Sequence, residues 1–235
     1  MIDTPLPGAA AGRRRALRAT RTHRVLERRD LSPGVFVLRF TREELRFVPG
    51  QWINVGPGGR REQREYSVYS SPREEFLEIL VKEIPDGSVS PALRRCRPGD
   101  SVEVEGPHGA FTLVEGARET PRFLFCATGT GVSPFRCFAQ SRPGLDYLVL
   151  HGVRSREDFT ETGVFDSRKY VPCVSRGPAG EGAYPGRLTS WLRAAPIDPS
   201  TYCYLCGNSD MIYEVYGILR DEGVSREQIF AEVYF

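Results

Sequence analysis

Arg64-Glu65-Tyr66-Ser67-Val68-Tyr69-Ser70-Ser71-Pro72 places a fixed cation, aromatic rings and small hydroxyls within one short stretch. In an extended chain Arg64, Tyr66, Val68 and Ser70 fall on one side, and Glu65, Ser67 and Tyr69 on the other. A guanidinium matches a phosphate in a bidentate fork. A tyrosine ring covers the face of a planar heterocycle. A serine hydroxyl both donates and accepts, so it can follow a ring nitrogen whose protonation changes. These groups suit a large, flat, anionic ligand. They also suit an ordinary barrel strand with Tyr66 and Val68 packed inward, and the stretch alone does not choose.

Other candidates lie further along. Gly87-Ser88-Val89-Ser90 leads into a short predicted helix from Pro91 to about Cys96, with Ser90 as N-cap and Pro91 in the first helical position. A helix start gathers unpaired N–H groups that hold an anion, although a plain turn and cap explains the same residues. Gly129-Thr130-Gly131, followed by Pro134, is a glycine turn after the apolar run 123–127 and before a helix. It is shorter than a full G-x-G-x-x-G, so its weight comes from its place at a strand's carboxyl end, where parallel sheets bind ligands. Arg154, Arg176 (after Ser175) and Arg187 each sit near such a strand end or at a helix entry, and each alone also reads as a solvated arginine. Cys206-Gly207-Asn208 closes the last long apolar run, with Asn208 or Ser209 available as an N-cap. The stretch Ala231-Glu232-Val233-Tyr234-Phe235 is apolar and aromatic where a terminus is ordinarily polar, which implies docking.

The elements that must position these residues come in two styles. Strands are predicted over 22–29, 34–41, 51–55, 64–70, 77–83 and 101–105, punctuated by Pro57-Gly58-Gly59, Pro85-Asp86-Gly87 and Pro98-Gly99-Asp100. Closely spaced strands with such turns imply an antiparallel barrel. Beyond Pro121 the apolar runs 123–127, 145–150, 170–175 and 201–206 alternate with predicted helices over 134–140, 187–194 and 210–221. That alternation implies a doubly wound parallel sheet. The division expected is a flexible tail over 1–19, a barrel over 20–118 and an α/β domain over 119–235, with the ligand site in the cleft between them.

The chain has 235 residues and a net charge of +2, too small to imply nucleic acid, and no apolar run nears the ~20 residues of a membrane helix. The cluster Arg13-Arg14-Arg15, with Arg18 and Arg21, lies by the tail. Six scattered cysteines in mostly apolar runs read as reduced, buried thiols, which points to the cytoplasm. Cys203-Tyr204-Leu205-Cys206 has metal or redox spacing without a second pair, so structural thiols are preferred to zinc. His23, His108 and His151 form no metal spacing and read as structural.

With Pro49-Gly50-Gln51 before it and Pro85-Asp86-Gly87-Ser88-Val89-Ser90-Pro91 after it, the Arg64-to-Pro72 stretch resembles the flavin strand of the ferredoxin–NADP⁺ reductase family, most closely the bacterial ferredoxin/flavodoxin reductases. The resemblance runs from about Arg24 to the end of the chain. It implies FAD and NADP(H) as cofactors. Arg64, Tyr66, Ser67, Val68 and Ser70 would line the flavin, with Tyr66 on one face and Ser67 at N5. Gly87, Ser88, Val89 and Ser90 would lie against the pyrophosphate. The glycine turn, with Thr130, Gly131 and Pro134, would meet the nicotinamide nucleotide. Arg154, Ser175-Arg176 and Arg187 would contact its 2′-phosphate. Cys206, Gly207 and Asn208 would line the nicotinamide pocket. Glu232 matches an acidic residue near Ser67, Tyr234 would cover the second flavin face, and Phe235 would pack on the adenine. The catalytic set so implied is Ser67, Cys206, Glu232 and Tyr234, with no metal.

The function implied is hydride exchange between NADP(H) and FAD, and single-electron exchange between FAD and a separate acidic carrier, ferredoxin or flavodoxin. The plant-type iron–sulfur spacing is absent, so the carrier is expected to be another protein. A monomer in the cytoplasm is expected. The alternatives are a reductase component of an oxygenase, a free-flavin reductase, or a non-catalytic electron-transfer subunit that docks by its arginine-rich tail.

Overall fold

The computed structural model describes residues 20–114, 122–158 and 162–234. The expected tail over 1–19, the expected boundary at 118/119 and Phe235 lie outside the described residues.

Strands β1 (Arg21–Ser32), β2 (Val35–Thr41), β3 (Trp52–Pro57), β4 (Arg64–Ser67), β5 (Phe76–Lys82) and β6 (Ser101–His108), with helix α1 (Ser90–Arg94) between the last two, form the first unit. The strands pair antiparallel in the order β4-β3-β6-β1-β2-β5. Beyond Ser67 the chain leaves β3 and turns to β5: Val68 bridges Ile79, and the Tyr69 amide donates to the Glu78 carbonyl at 2.8 Å. The two end strands of the sheet thus meet, which closes it toward a barrel and spends its exposed edges. The predicted strand 64–70 is therefore a four-residue strand followed by a change of partner.

Side-chain alternation explains what each barrel strand faces. In β2, Phe36, Leu38 and Phe40 enter the barrel core, while Val37 packs on the other side against the second unit. In β5, Leu77, Ile79 and Val81 point in and Leu80 points out. Each such fully buried apolar side chain contributes about 1.5–3 kcal/mol.

The second unit holds β7 (Phe123–Thr128), α2 (Ser133–Ser141), β8 (Tyr147–Val153), β9 (Tyr170–Val174), β10 (Tyr184–Pro185), α3 (Leu188–Ala194), β11 (Tyr202–Gly207), α4 (Ser209–Asp221) and β12 (Ile229–Val233). All pairs are parallel, in the order β10-β9-β8-β7-β11-β12. The order reverses at β7, whose neighbours are β8 on one side and β11 on the other. Strand β7 is apolar on both faces: Phe123, Phe125 and Ala127 pack toward the barrel, Leu124 and Cys126 toward α3 and α4. Strands β10 and β12 were not expected from the sequence.

The same alternation decides the Cys203/Cys206 pair. Three residues apart on β11, Cys203 packs on one face of the sheet and Cys206 on the other, so they cannot share an ion or a disulfide. All six cysteines are free and buried.

One apolar cluster spans both units. Tyr69, Leu80, Phe111 and Leu113 meet Phe125, Phe135, Phe138 and Tyr204. The Tyr204 hydroxyl donates to the Thr112 carbonyl at 3.0 Å and accepts from the Val114 amide at 2.9 Å. Among the described residues, no helix is long and apolar enough to cross a membrane.

Candidate functional site

The order reversal at β7 opens a crevice at the carboxyl ends of β7 and β11, the place where open α/β sheets bind ligands. The glycine turn fills it. Gly129–Val132 forms one 3₁₀ turn after β7, and α2 begins directly at Ser133 with Pro134 in its first turn. A Cβ on Gly131 would collide with the Cys206 carbonyl and lie 2.9 Å from the Gly207 Cα, so only glycine lets the two strand ends approach. Gly207 has φ +129, and a Cβ there would strike Thr128. The Asn208 amide donates to the Thr128 hydroxyl at 2.9 Å, and the Asn208 side chain caps α4 by accepting from the Met211 amide at 3.3 Å.

The turn is held from beneath by a histidine that already reads as structural from the sequence. His151, at the end of β8, has no exposed surface; its Nε2 lies 2.8 Å from the Gly129 carbonyl and its Nδ1 2.7 Å from the Tyr170 hydroxyl. A carbonyl only accepts, so Nε2 carries the proton and Nδ1 accepts from Tyr170. Burial lowers the His151 pKa to about 4, against the Gly129 carbonyl, which raises it. The imidazole stays neutral and its donor stays in place at any ordinary pH.

Opposite the crevice stands β4. The Tyr234 hydroxyl donates to the Ser67 hydroxyl at 2.6 Å, and the Tyr234 amide donates to the Gly207 carbonyl at 2.8 Å. Because Ser67 accepts from Tyr234, its own proton is left for another acceptor. The Cys206 thiol lies within hydrogen-bonding reach of Tyr234; burial, then the charge of Glu232, pushes it well above its ordinary range, so it is a neutral thiol. Glu232 is pushed up to about 7, first by burial and then by the charge of Glu65. Its Oε2 is buried with no hydrogen-bond partner among the described residues. Ser67, Cys206, Glu232 and Tyr234 are thus brought together from β4, β11 and the β12 end.

Tyr66 is partly buried against the barrel core, and burial raises its phenol to about 12, with Arg64 pulling the other way. Arg64 is exposed, and its guanidinium donates to the Gln63 carbonyl at 2.8 Å. Val68 lies in the barrel core. The Ser70 hydroxyl is fully buried and accepts from the Glu78 amide at 3.0 Å. At the predicted anion turn, Gly87 and Ser88 are exposed while Val89 and Ser90 are buried. Ser90 is not the N-cap. Helix α1 starts at Ser90 with Val89 before it, and the Ser90 hydroxyl accepts from the Ile84 amide at 2.9 Å, closing the turn. The first turn of α1 has no side-chain cap.

The three arginines gather by backbone geometry. The Ser175 amide donates to the Val153 carbonyl at 3.0 Å, the Arg176 amide to the Arg154 carbonyl at 2.7 Å, and the Gly186 amide to the Val174 carbonyl at 2.8 Å. Arg154, Arg176 and Arg187 therefore stand past the ends of three adjacent strands, all exposed. The Ser175 hydroxyl is bonded back to the Val153 carbonyl at 3.0 Å.

The donor set fits a flavin beside a dinucleotide: a free hydroxyl proton at Ser67, an unpartnered carboxyl oxygen at Glu232 and backbone approach that glycine alone permits. Residues 22–113 match the oxidoreductase FAD-binding domain family. Over 237 residues the chain is 33% identical to ferredoxin–NADP reductase B of Sorangium cellulosum, covering 90% of this chain and 96% of that one. It is 29% identical over 224 residues to the toluate 1,2-dioxygenase electron transfer component of Pseudomonas putida, across 88% of this chain and 65% of that protein. The fold is shared with the crystal structure of a ferredoxin NADP⁺ reductase from Neisseria gonorrhoeae with bound FAD and NADP, at a TM-score of 0.78 and 22% identity over 92% of this chain and 99% of that one.

A barrel of this family joined to a doubly wound sheet defines a flavin-dependent oxidoreductase of the NAD(P)H-using class. The chain belongs to the ferredoxin–NADP reductase family.

Proposed function

We propose that this oxidoreductase uses NADP(H) and exchanges single electrons with ferredoxin or flavodoxin. The observation that carries the reading is the meeting of Ser67 and Tyr234, at 2.6 Å, directly across from the glycine turn at the sheet's reversal point. FAD, when bound, supplies the conversion between a hydride and two separate electrons.

The residues divide the remaining work. Arg64 and the turn from Gly87 to Ser90 bind the FAD pyrophosphate by charge and by backbone N–H groups. Tyr66 and Tyr234 cover opposite faces of the ring system. Ser67 presents its hydroxyl proton to the ring nitrogen. Val68 and Ser70, whose side chains are buried, contribute backbone and support rather than side-chain contacts. Phe235 is assigned to the adenine. Thr130, Gly131, Pro134, Gly207 and Asn208 shape the nicotinamide site, and Cys206 offers it a small neutral wall. Glu232, poised near 7, holds or yields a proton beside Ser67. Arg154, Arg176 and Arg187 bind the 2′-phosphate, with Ser175 fixing the turn that carries Arg176. The division into a barrel over 20–118 and an α/β domain over 119–235 follows the same assignment.

The similarity to a dioxygenase electron transfer component favours a second reading, in which the acceptor is an oxygenase or its carrier. Purification with an absorbance scan and identification of the released flavin tests the first step. NADPH oxidation with ferredoxin, flavodoxin, free flavin and a dye as acceptors then chooses among the readings. Turnover fastest with ferredoxin or flavodoxin is expected; no oxidation with any acceptor would leave only a docking subunit.

A further inference from the structure

Glu78, on β5, has no exposed surface and faces three guanidinium groups. Its Oε1 accepts from Arg29 Nη1 at 2.9 Å, and from Arg39 Nε at 3.0 Å and Nη2 at 2.9 Å. Those two arginines come from β1 and β2 and already neutralise the carboxylate within the barrel unit. The third does not belong to that unit. Arg136 sits in α2, in the turn that follows the glycine loop, with its Nη1 at 3.3 Å from Glu78 Oε2. The same Nη1 donates to the Tyr69 carbonyl at 2.7 Å, and the guanidinium carbon lies 4.2 Å over the Tyr69 ring.

A guanidinium that is only 6% exposed is costly to bury unless it is both paired and hydrogen-bonded. Neighbouring positions of α2 are Phe135 and Phe138, so an apolar side chain would fill this space without that cost. What an apolar residue cannot supply is direction. Arg136 reaches the carbonyl two residues beyond Ser67, and that carbonyl's residue is already locked to β5: the Tyr69 amide donates to the Glu78 carbonyl at 2.8 Å and the Glu78 amide to the Ser70 hydroxyl at 3.0 Å. One end of the connection is thus the exit of the strand that carries Ser67. The other is the helix that begins where the glycine turn ends.

We propose that Arg136 is a positioning residue: by clasping the Tyr69 carbonyl and Glu78 it sets the spacing between the glycine turn and Ser67, and with it the distance over which hydride passes. The inference rests on the NADP(H)-to-flavin reading given above. A displacement of about 1 Å at such a junction costs up to 10²-fold in rate.

The test uses the FAD-loaded protein and the variants Arg136→Met and Arg136→Lys. Lysine keeps the charge and one donor but loses the fork and the ring cover, and Arg29 and Arg39 still neutralise Glu78 in both. Amide hydrogen exchange without nucleotide reads the clasp itself: exchange at Tyr69 and Glu78 is expected to rise roughly tenfold or more in Arg136→Met and less in Arg136→Lys. Rapid-mixing reduction of the flavin by NADPH reads its consequence. The limiting rate is expected to fall about 10- to 100-fold in Arg136→Met, with partial rescue in Arg136→Lys, while the NADPH dissociation constant changes less than about threefold. Unchanged exchange, an unchanged limiting rate, or a rate loss that tracks loss of FAD in both variants overturns the proposal. If Arg136→Met does not fold, Arg136→Lys decides by the same criteria. Failure of the wild-type flavin to be reduced by NADPH refutes the functional reading instead, and the exchange result still stands or falls alone.

Discussion

Around Ser67 the polar groups are tied to one another; around Arg154, Arg176 and Arg187 they are not. Ser67 accepts from Tyr234, Tyr234 is anchored to Gly207, and Ser90 and Ser70 are bonded to backbone amides before any ligand is considered. The three arginines have their backbones fixed by strand ends, yet their side chains stand exposed and make no hydrogen bond or ion pair among the described residues. A half that holds a resident cofactor gains from preorganisation, since each loose side chain ordered when the cofactor binds would cost about 0.5–1.5 kcal/mol of its affinity. A half that meets a substrate once per cycle gains from arginines that remain hydrated until a phosphate arrives. The difference between the two halves is therefore testable: changes near Ser67 should alter the chemical step, and changes among the arginines should alter binding.

The largest expected effect lies on the interlocked side. Ser67→Val removes the acceptor of the Tyr234 hydroxyl and, on the proposed assignment, the proton offered to the ring nitrogen. General acid–base and hydrogen-bonding roles of this kind are worth about 10²–10⁴-fold. The limiting rate of flavin reduction by NADPH, followed by rapid mixing, should fall by at least about 10², with FAD retained. A loss confined to KM would place Ser67 on the substrate side and erase the contrast.

The open side should respond in the opposite manner. Each charge-assisted bond contributes about 1.5–3 kcal/mol, so Arg176→Ala should lower kcat/KM for NADPH by roughly 10- to 100-fold. Its efficiency with NADH and its limiting rate at saturating NADPH should remain as in the wild type. Arg154→Ala and Arg187→Ala should behave alike. A wild type that uses NADH and NADPH equally well would show that the arginines are solvent-facing only.

Glu232 joins the two halves and gives a pH signature. Its folded-state pKa of about 7 lies above the ordinary 4.5, chiefly through burial and secondarily through Glu65. The folded chain therefore holds this proton more tightly than the unfolded chain. The stability it contributes is complete below about 4.5 and is lost as pH rises toward and through about 7. With some discount for its partial exposure, the change amounts to ~2 kcal/mol. Denaturant unfolding of the wild type should weaken between pH 5 and pH 8, and Glu232→Gln should remove most of that slope. An equal slope in both proteins would mean that Glu232 titrates as an ordinary surface carboxylate.

What was legible in the sequence was local. Closely spaced short strands with turn residues, and continuous apolar runs, located ten of the twelve strands among the described residues, because these signals act between near neighbours in the chain. The two-residue β10 is too short to show a period, and β12 reads as an apolar ending until its partner β11 is known. The candidate residues Ser67, Cys206, Glu232 and Tyr234 were named on resemblance, while their meeting depends on strand order. His151 reads as structural and is so, but its partner, the Gly129 carbonyl in the turn after β7, comes from a separate stretch of chain that no local pattern pairs with it. The Ser90 cap failed because the Ile84 amide, six residues back, competes for the same hydroxyl. Glu78 was invisible as a junction, since its three arginines arrive from β1, β2 and α2. The Cys203/Cys206 outcome, by contrast, was available from strand parity alone.

The smallest expected effect tests where the two halves touch. Tyr234 is bonded to Ser67 through its hydroxyl and to Gly207 through its amide, so on the proposed assignment it stands between the cofactor side and the nucleotide side. If its ring covers the flavin face that nicotinamide needs, it must move aside before hydride transfer. Aromatic stacking contributes about 0.5–1.5 kcal/mol beyond area burial, so removing the ring should tighten NADP⁺ binding by roughly two- to tenfold. Tyr234→Ser should show that tightening in a titration that follows the flavin spectrum, together with weaker discrimination against NADH and slower release. Tyr234→Phe separates the ring from the hydroxyl. If it binds NADP⁺ as the wild type does, the ring is the barrier; if it binds as Tyr234→Ser does, the 2.6 Å bond to Ser67 holds the barrier closed. Unchanged affinity and spectrum in both variants would leave Tyr234 as a structural anchor and return the boundary between the halves to Gly131 and Gly207.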